Sequence, residues 1–115
     1  MSTQRHEHAA RKLRGSAPLF AALGDETRLA LLTKLSGGAP LSIARLTQGS
    51  TRTRQAITKH LQVLRAAGLV RGVRRGRENL FELEPKPLAE AQRALESISR
   101  QWDAALARLK AFVER

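Results

Sequence analysis

The stretch TRQAITKHLQVLRAAGLVRGVRRGRENLFEL, residues 53–83, decides the fold. Thr53 reads as a helix cap, because its hydroxyl can accept from an orphan amide in the first turn. Ile57, Leu61 and Leu64 follow at spacings of four and three, which puts them on one face of a helix running to about Ala67. Arg54, Gln55, Thr58, Lys59 and Gln62 occupy the opposite face, and none of them is acidic. Gly68 ends the helix. Leu69–Arg74 and Arg77–Leu83 then read as two strands around Arg75-Gly76, a short turn in which glycine supplies the positive φ. Phe81 and Leu83 share one face of the second strand, and Leu80 and Glu82 share the other. Arg74, Arg75 and Arg77 crowd the tip.

Working upstream, Gly49-Ser50-Thr51 is a turn, and Leu41–Leu46 reads as a short helix capped by Ser42, with Ile43 and Leu46 on one face. Asp25 caps the helix before it. The expected buried face there is Leu29, Leu32 and Leu35 with Leu31 beside them, and Gly37-Gly38 and Pro40 stop it. Ser16 with Pro18 marks the start of a first helix carrying Leu19, Phe20 and Leu23, closed by Gly24. Downstream, Pro85 and Pro87 open a long helix. In it Leu88, Ala91, Leu95, Ile98, Trp102, Leu106, Leu109 and Val113 recur at spacings of three and four. So small a domain cannot cover so long a stripe with its own core, and a second copy is the expected partner. The order of elements predicts a mainly α protein with a two-stranded β-hairpin wing, a winged helix-turn-helix acting as a homodimer. The expected division is a flexible basic arm over 1–15, a DNA-binding domain over 16–83 and a dimerisation helix over 84–115.

A length of 115 residues suits one domain, and 42% hydrophobic residues suits a packed globule rather than a disordered chain. No apolar run approaches a membrane span, and the polar start is unlike a secretory signal, so the cytoplasm is the expected location. Cysteine is absent, which excludes disulfides, thiolate metal sites and thiol redox sensing. The net charge of +11 is unevenly spread. Residues 1–83 hold 15 Lys/Arg against 5 Asp/Glu, whereas 84–115 hold 6 against 5. No acidic residue lies between Glu26 and Glu78. A solvated helix face mixes signs, so a one-signed stretch implies a polyanionic partner whose counterions are released on binding. Charge alone does not separate DNA from RNA or acidic lipid.

Three segments resemble the ArsR family. LFAALGDETRLALLTKL (19–35) is similar to the family's signature, in which an LGDPTR-like stretch starts the second helix. AITKHLQVLRAAGLV (56–70) resembles its recognition helix, and RRGRENLFELE (74–84) resembles its wing. Order and spacing agree over roughly residues 16–115. The resemblance implies a DNA-binding repressor or autorepressor. Two sensor features depart from it. The segment matching the family's cysteine-bearing third helix is Leu41-Ser42-Ile43-Ala44-Arg45-Leu46, with no thiolate, and the last helix offers Asp103 but no histidine. The chain is therefore expected in the cysteine-free, metal-independent branch, with no cofactor and no metal.

The candidate DNA contacts are Arg52, Thr53, Arg54, Gln55, Thr58 and Lys59 at the recognition helix and Arg74, Arg75 and Arg77 in the wing. Thr53 is read first as a cap, and the wing arginines as phosphate or minor-groove contacts. The candidate dimer interface is Leu19, Leu95, Ile98, Trp102, Leu106, Leu109 and Val113. His60 is read as a hydrogen-bonded packing residue, and His6-Glu7-His8 as too sparse for a metal site. No constellation for catalysis is present in the sequence: there is no Gly-rich phosphate loop and no pair of carboxylates near a histidine. The alternatives are a nonspecific nucleic-acid-binding module, coating nucleoid or RNA, and a winged-helix protein–protein interaction domain.

Overall fold

The computed structural model describes residues 2–114; for Ser2, Thr3, Arg5, His6 and Ala9 only the backbone is described. The His6 side chain, half of the histidine pair weighed above, thus lies outside the described residues. In chain order the elements are α1 (Ser2–Gly15), α2 (Ala17–Leu23), α3 (Glu26–Leu35), β1 (Leu41–Ser42), α4 (Ile43–Thr47), α5 (Arg54–Ala66), β2 (Val70–Arg75), β3 (Glu78–Leu83) and α6 (Pro85–Val113). They form two compact units, one of residues 18–88 and one of residues 1–17 with 89–115.

In the 18–88 unit, three helices begin at the expected caps. The Asp25 carboxylate accepts from Arg28 N at 3.0 Å, the Ser42 hydroxyl from Arg45 N at 3.2 Å, and the Thr53 hydroxyl from Ala56 N at 3.1 Å. Each satisfies an amide that the first helical turn leaves without a partner. The core is Leu31, Leu32 and Leu35 from α3, Leu46 from α4, Ile57, Leu61 and Leu64 from α5, and Leu69, Val70 and Leu80 from the strands. Each such side chain, fully buried, contributes about 1.5–3 kcal/mol through removal from water. Helix α5 ends in a Schellman motif. Gly68 turns left-handed with φ +78°, its amide donates to Arg65 O, and Leu69 N donates to Leu64 O. That reversal drops the wholly buried Leu69 into the core and launches β2.

The structure departs from the sequence reading in five places. Leu41–Ser42 is a strand, pairing Leu41 with Phe81 and Ser42 with Leu80, and the helix begins only at Ile43. The sheet is therefore three-stranded, in the order β1-β3-β2. The hairpin turn is Gly76-Arg77, one residue later than expected, with Arg75 paired to Glu78. Gly76 has φ +59° while Arg77 stays at negative φ, the pattern of a II′ turn. Leu29 is 49% exposed, because the buried arc of α3 is centred on Leu31, Leu32 and Leu35. Ser16 closes α1 rather than opening α2, its hydroxyl donating to Lys12 O at 3.1 Å. Residues 2–15, expected to be a loose arm, form a helix rich in good helix formers such as Ala9, Ala10, Lys12 and Leu13.

Along α6, Ala91 and Ala94 are buried and Ile98 is half-buried. Beyond them the apolar stripe is open: Trp102 is 64% exposed, Leu106 56%, Leu109 59% and Val113 74%, with Leu95 at 45%. Phe112, which lies beside Leu109 and was not part of the expected stripe, is 70% exposed. Leu19, placed with this set by the sequence, is 5% exposed and has little area left to offer a second copy.

Candidate nucleic-acid interface

Helix α5 buries Ile57, Leu61 and Leu64, and this fixes what points away. Arg54, Gln55, Lys59 and Gln62 are exposed, as are Arg52 and Thr53 just before the helix. Thr53 spends its hydroxyl on the cap. Thr58 is half-buried and its hydroxyl donates to Arg54 O at 2.8 Å, so its methyl and a lone pair remain for a ligand. Arg74, Arg75 and Arg77 are exposed around the II′ turn. The recognition-helix residues and the wing residues lie in the same compact unit. None of these cations is in an ion pair among the described residues.

Arg71 is different, although it belongs to the same acid-free stretch of sequence. Its Nε lies against Glu82 Oε1 and is 3.5 Å from Glu84 Oε1. The hydrogen bond it donates to Glu82, reinforced by the charges of both carboxylates, raises its pKa above the ordinary arginine value. Arg71 is thus neutralised within the chain, and the free basic surface is narrower than the sequence implies.

Two positioning devices were not apparent from the sequence. The Lys34 ammonium, on α3, donates to Leu46 O and Gln48 O, both at 3.0 Å. It caps the C-terminal end of α4 where a cation is favoured, and so fixes the turn between α4 and α5. The Ser50 hydroxyl, accepting from Arg52 N at 3.0 Å, tightens the same turn. The second device is Arg28. Its Nε donates to Ala22 O at 2.6 Å, closing the end of α2, and its Nη1 lies 3.3 Å from His60 Nδ1 on α5. Asp25 Oδ2 is 3.7 Å from the same His60 nitrogen. His60 is accordingly the hydrogen-bonded packing residue expected, and its neighbours tie the recognition helix to the α2–α3 junction.

Asp25 titrates below its ordinary value of 3.8, chiefly because its carboxylate accepts from the Arg28 amide, with the charges of His60 and Arg28 assisting. A carboxyl whose pKa is lower folded than unfolded stabilises above the unfolded pKa, and loses that contribution as pH falls through the folded one. Asp25→Asn keeps the cap but removes the charge. Thermal unfolding followed by circular dichroism between pH 2 and 6 should therefore show a shallower acid limb in the variant. An identical limb in both proteins would mean that the Asp25 charge does not contribute.

Residues 23–73 match the model of a helix-turn-helix domain family. YuzN of Bacillus subtilis, described as an uncharacterized HTH-type transcriptional regulator, is 41% identical over 61% of this chain and 83% of its own. The HTH-type transcriptional regulator Rv2034 of Mycobacterium tuberculosis is 35% identical over 76% of this chain and 78% of its own. An ArsR-like transcriptional regulator from Rhodococcus sp. RHA1 superposes with a TM-score of 0.75, at 42% identity, over 90% of this chain and 93% of that one. The chain belongs to the ArsR family of DNA-binding, winged helix-turn-helix regulators. In this ArsR-type regulator the fold and the acid-free face of α5 agree in pointing to a duplex. The family match covers these positioning residues as well as α5, since Asp25, Arg28, Lys34 and His60 all lie within residues 23–73.

Proposed function

We propose that this chain is a repressor or autorepressor that binds an inverted-repeat operator as a homodimer, in the cytoplasm and without metal control. The observation that carries the reading is the outer face of α5, where Arg54, Gln55, Lys59 and Gln62 are exposed with no carboxylate among them. Such a face enters a major groove, where glutamine and arginine pair with base edges. The contacts assigned are Arg52, Arg54, Gln55, Thr58 and Lys59 from the helix region, and Arg74, Arg75 and Arg77 to flanking phosphates or minor groove. The exposed stripe Leu95, Trp102, Leu106, Leu109 and Val113 supports pairing through α6, because an apolar face of that length is otherwise left in water. Two-fold pairing in turn favours a two-fold operator.

The test is fluorescence anisotropy with the DNA upstream of its own gene, against random duplex of equal length. Specific binding to an imperfect inverted repeat is the expected result. Equal affinity for both duplexes identifies a nonspecific coat instead, and no affinity for either identifies an interaction domain. Metals give a second check. A cysteine-free chain lacks the thiolates that soft-metal sites need. Zinc, cadmium and arsenite are expected to leave operator affinity unchanged, and stoichiometric zinc binding that releases DNA would overturn that expectation.

A further inference from the structure

The wing has two chemically different faces. Strand residues alternate, and the register pairs Arg71 with Glu82, Gly72 with Phe81, Val73 with Leu80, Arg74 with Asn79 and Arg75 with Glu78. Glu78 and Glu82 therefore belong to the face of Arg71, Val73 and Arg75. The opposite face carries Gly72, Arg74 and Asn79 and no carboxylate. Onto it comes Arg65, from the last turn of α5. A Cβ built at Gly72 would lie 3.5 Å from Arg65 Nη1 and 3.7 Å from its Cζ, so the guanidinium rests against the bare backbone of β2. Arg65, Gly72, Arg74 and Asn79 all line one open cleft of about 380 Å³, and the rest of its walls are the apolar Ile43, Val73, Leu80 and Phe81. Arg74 Nε donates to Gly76 O at 3.3 Å, and neither arginine is in an ion pair among the described residues. Two exposed guanidinium groups and an amide thus line one cleft with no anion supplied by the described residues, while Arg71 next to Gly72 takes Glu82 and Glu84.

We infer that Arg65, Arg74 and Asn79 form a seat for one phosphate group over Gly72, filled by a backbone phosphate of the bound duplex where the recognition helix meets the wing. Guanidinium matches phosphate oxygens with paired donors, which a strand face without side chains at its centre leaves accessible. The assignment rests on the DNA-binding reading above and adds Arg65, which the resemblance and the basic tip do not single out.

The test uses the full chain and anisotropy across a salt series, with the upstream DNA and with random duplex. Arg65→Gln should weaken both by a similar factor, about three- to tenfold, and make the salt slope shallower by about one unit per subunit. Gly72→Asp should do the same by placing a carboxylate beside the guanidinium. The backbone there is compatible with a side chain, and the space allows ordinary contact. Arg65→Lys should recover the slope, because it restores the charge. Unchanged melting temperatures separate these effects from misfolding. A second arm adds inorganic pyrophosphate to the free protein. Protection of the parent but not of Arg65→Gln, with DNA binding unaltered in the variant, keeps the seat and makes a free phosphate its occupant. Loss of neither DNA affinity, salt slope nor pyrophosphate protection in Arg65→Gln and Gly72→Asp overturns the inference, while the parent's binding to DNA leaves the wider reading intact. A parent that binds no DNA removes that reading instead.

Discussion

Trp102→Ala is expected to weaken the proposed homodimer by about 3–5 kcal/mol, the cost of truncating a tryptophan that pairing buries fully. That is roughly two to four orders of magnitude in the dimer dissociation constant. The argument starts from exposure. The indole is 64% exposed in the single chain, between Leu95 and Leu106 on a stripe that continues to Leu109 and Val113. A side chain this exposed contributes little to the fold of its own chain, so its energy is realised only when a second α6 covers it. The variant should therefore fold as before by circular dichroism and dissociate at concentrations where the parent stays paired. Sedimentation equilibrium over nanomolar to micromolar protein reads both. Leu19→Ala makes the contrast. Leu19 is 5% exposed, so its truncation opens a cavity in the chain's own packing and should lower the melting temperature first. A parent protein that sediments as a monomer at micromolar concentration would sink the proposed interface altogether.

The features legible in the sequence are those set by neighbours within one helical turn. Asp25, Ser42 and Thr53 cap their helices because a short side-chain acceptor meets an amide three residues on. The Gly68 ending and the Ile57, Leu61, Leu64 stripe are local in the same sense. What escaped depends on pairing over distance. Strand β1 is two residues long, too short for any periodicity, and exists only because β3 offers a free edge. Placing the hairpin turn one residue early shifts the register of the whole wing, since a turn at residues 75–76 would set Arg71 opposite Leu80. The real turn at Gly76-Arg77 sets it opposite Glu82, and with that the neutralisation of Arg71 appears. The contact of Arg28 with His60 spans 32 residues, and that of Lys34 with Gln48 spans 14. Nothing in a local pattern reports either. The ArsR-like LGDETR stretch contained Asp25 and Arg28, yet it gave no reason for the arginine until the carbonyls of Ala21 and Ala22 were seen beside it.

Gln55→Ala should reduce discrimination between the operator and random DNA by about 1–3 kcal/mol, the worth of a good base contact in the major groove. Gln55 is exposed on the first turn of α5, where a helix lying in the groove brings side chains nearest to base edges. Thr58 is one turn further on, but its hydroxyl already donates to Arg54 O. It can still offer its methyl to a thymine, so Thr58→Ala should fall toward the low end of the same range. Arg75→Ala is expected to behave differently. It lies beside the II′ turn, free of ion pairs among the described residues, where backbone charge is the nearer target. Its loss should weaken operator and random DNA alike and make the salt slope shallower by about one unit for each phosphate contact removed. Anisotropy with both duplexes across a salt series separates the two behaviours, because specificity is the difference between the curves and phosphate contact is their slope. If Gln55→Ala and Thr58→Ala keep full specificity while Arg75→Ala alone abolishes it, the wing is the reader and the recognition helix only anchors the protein to the duplex.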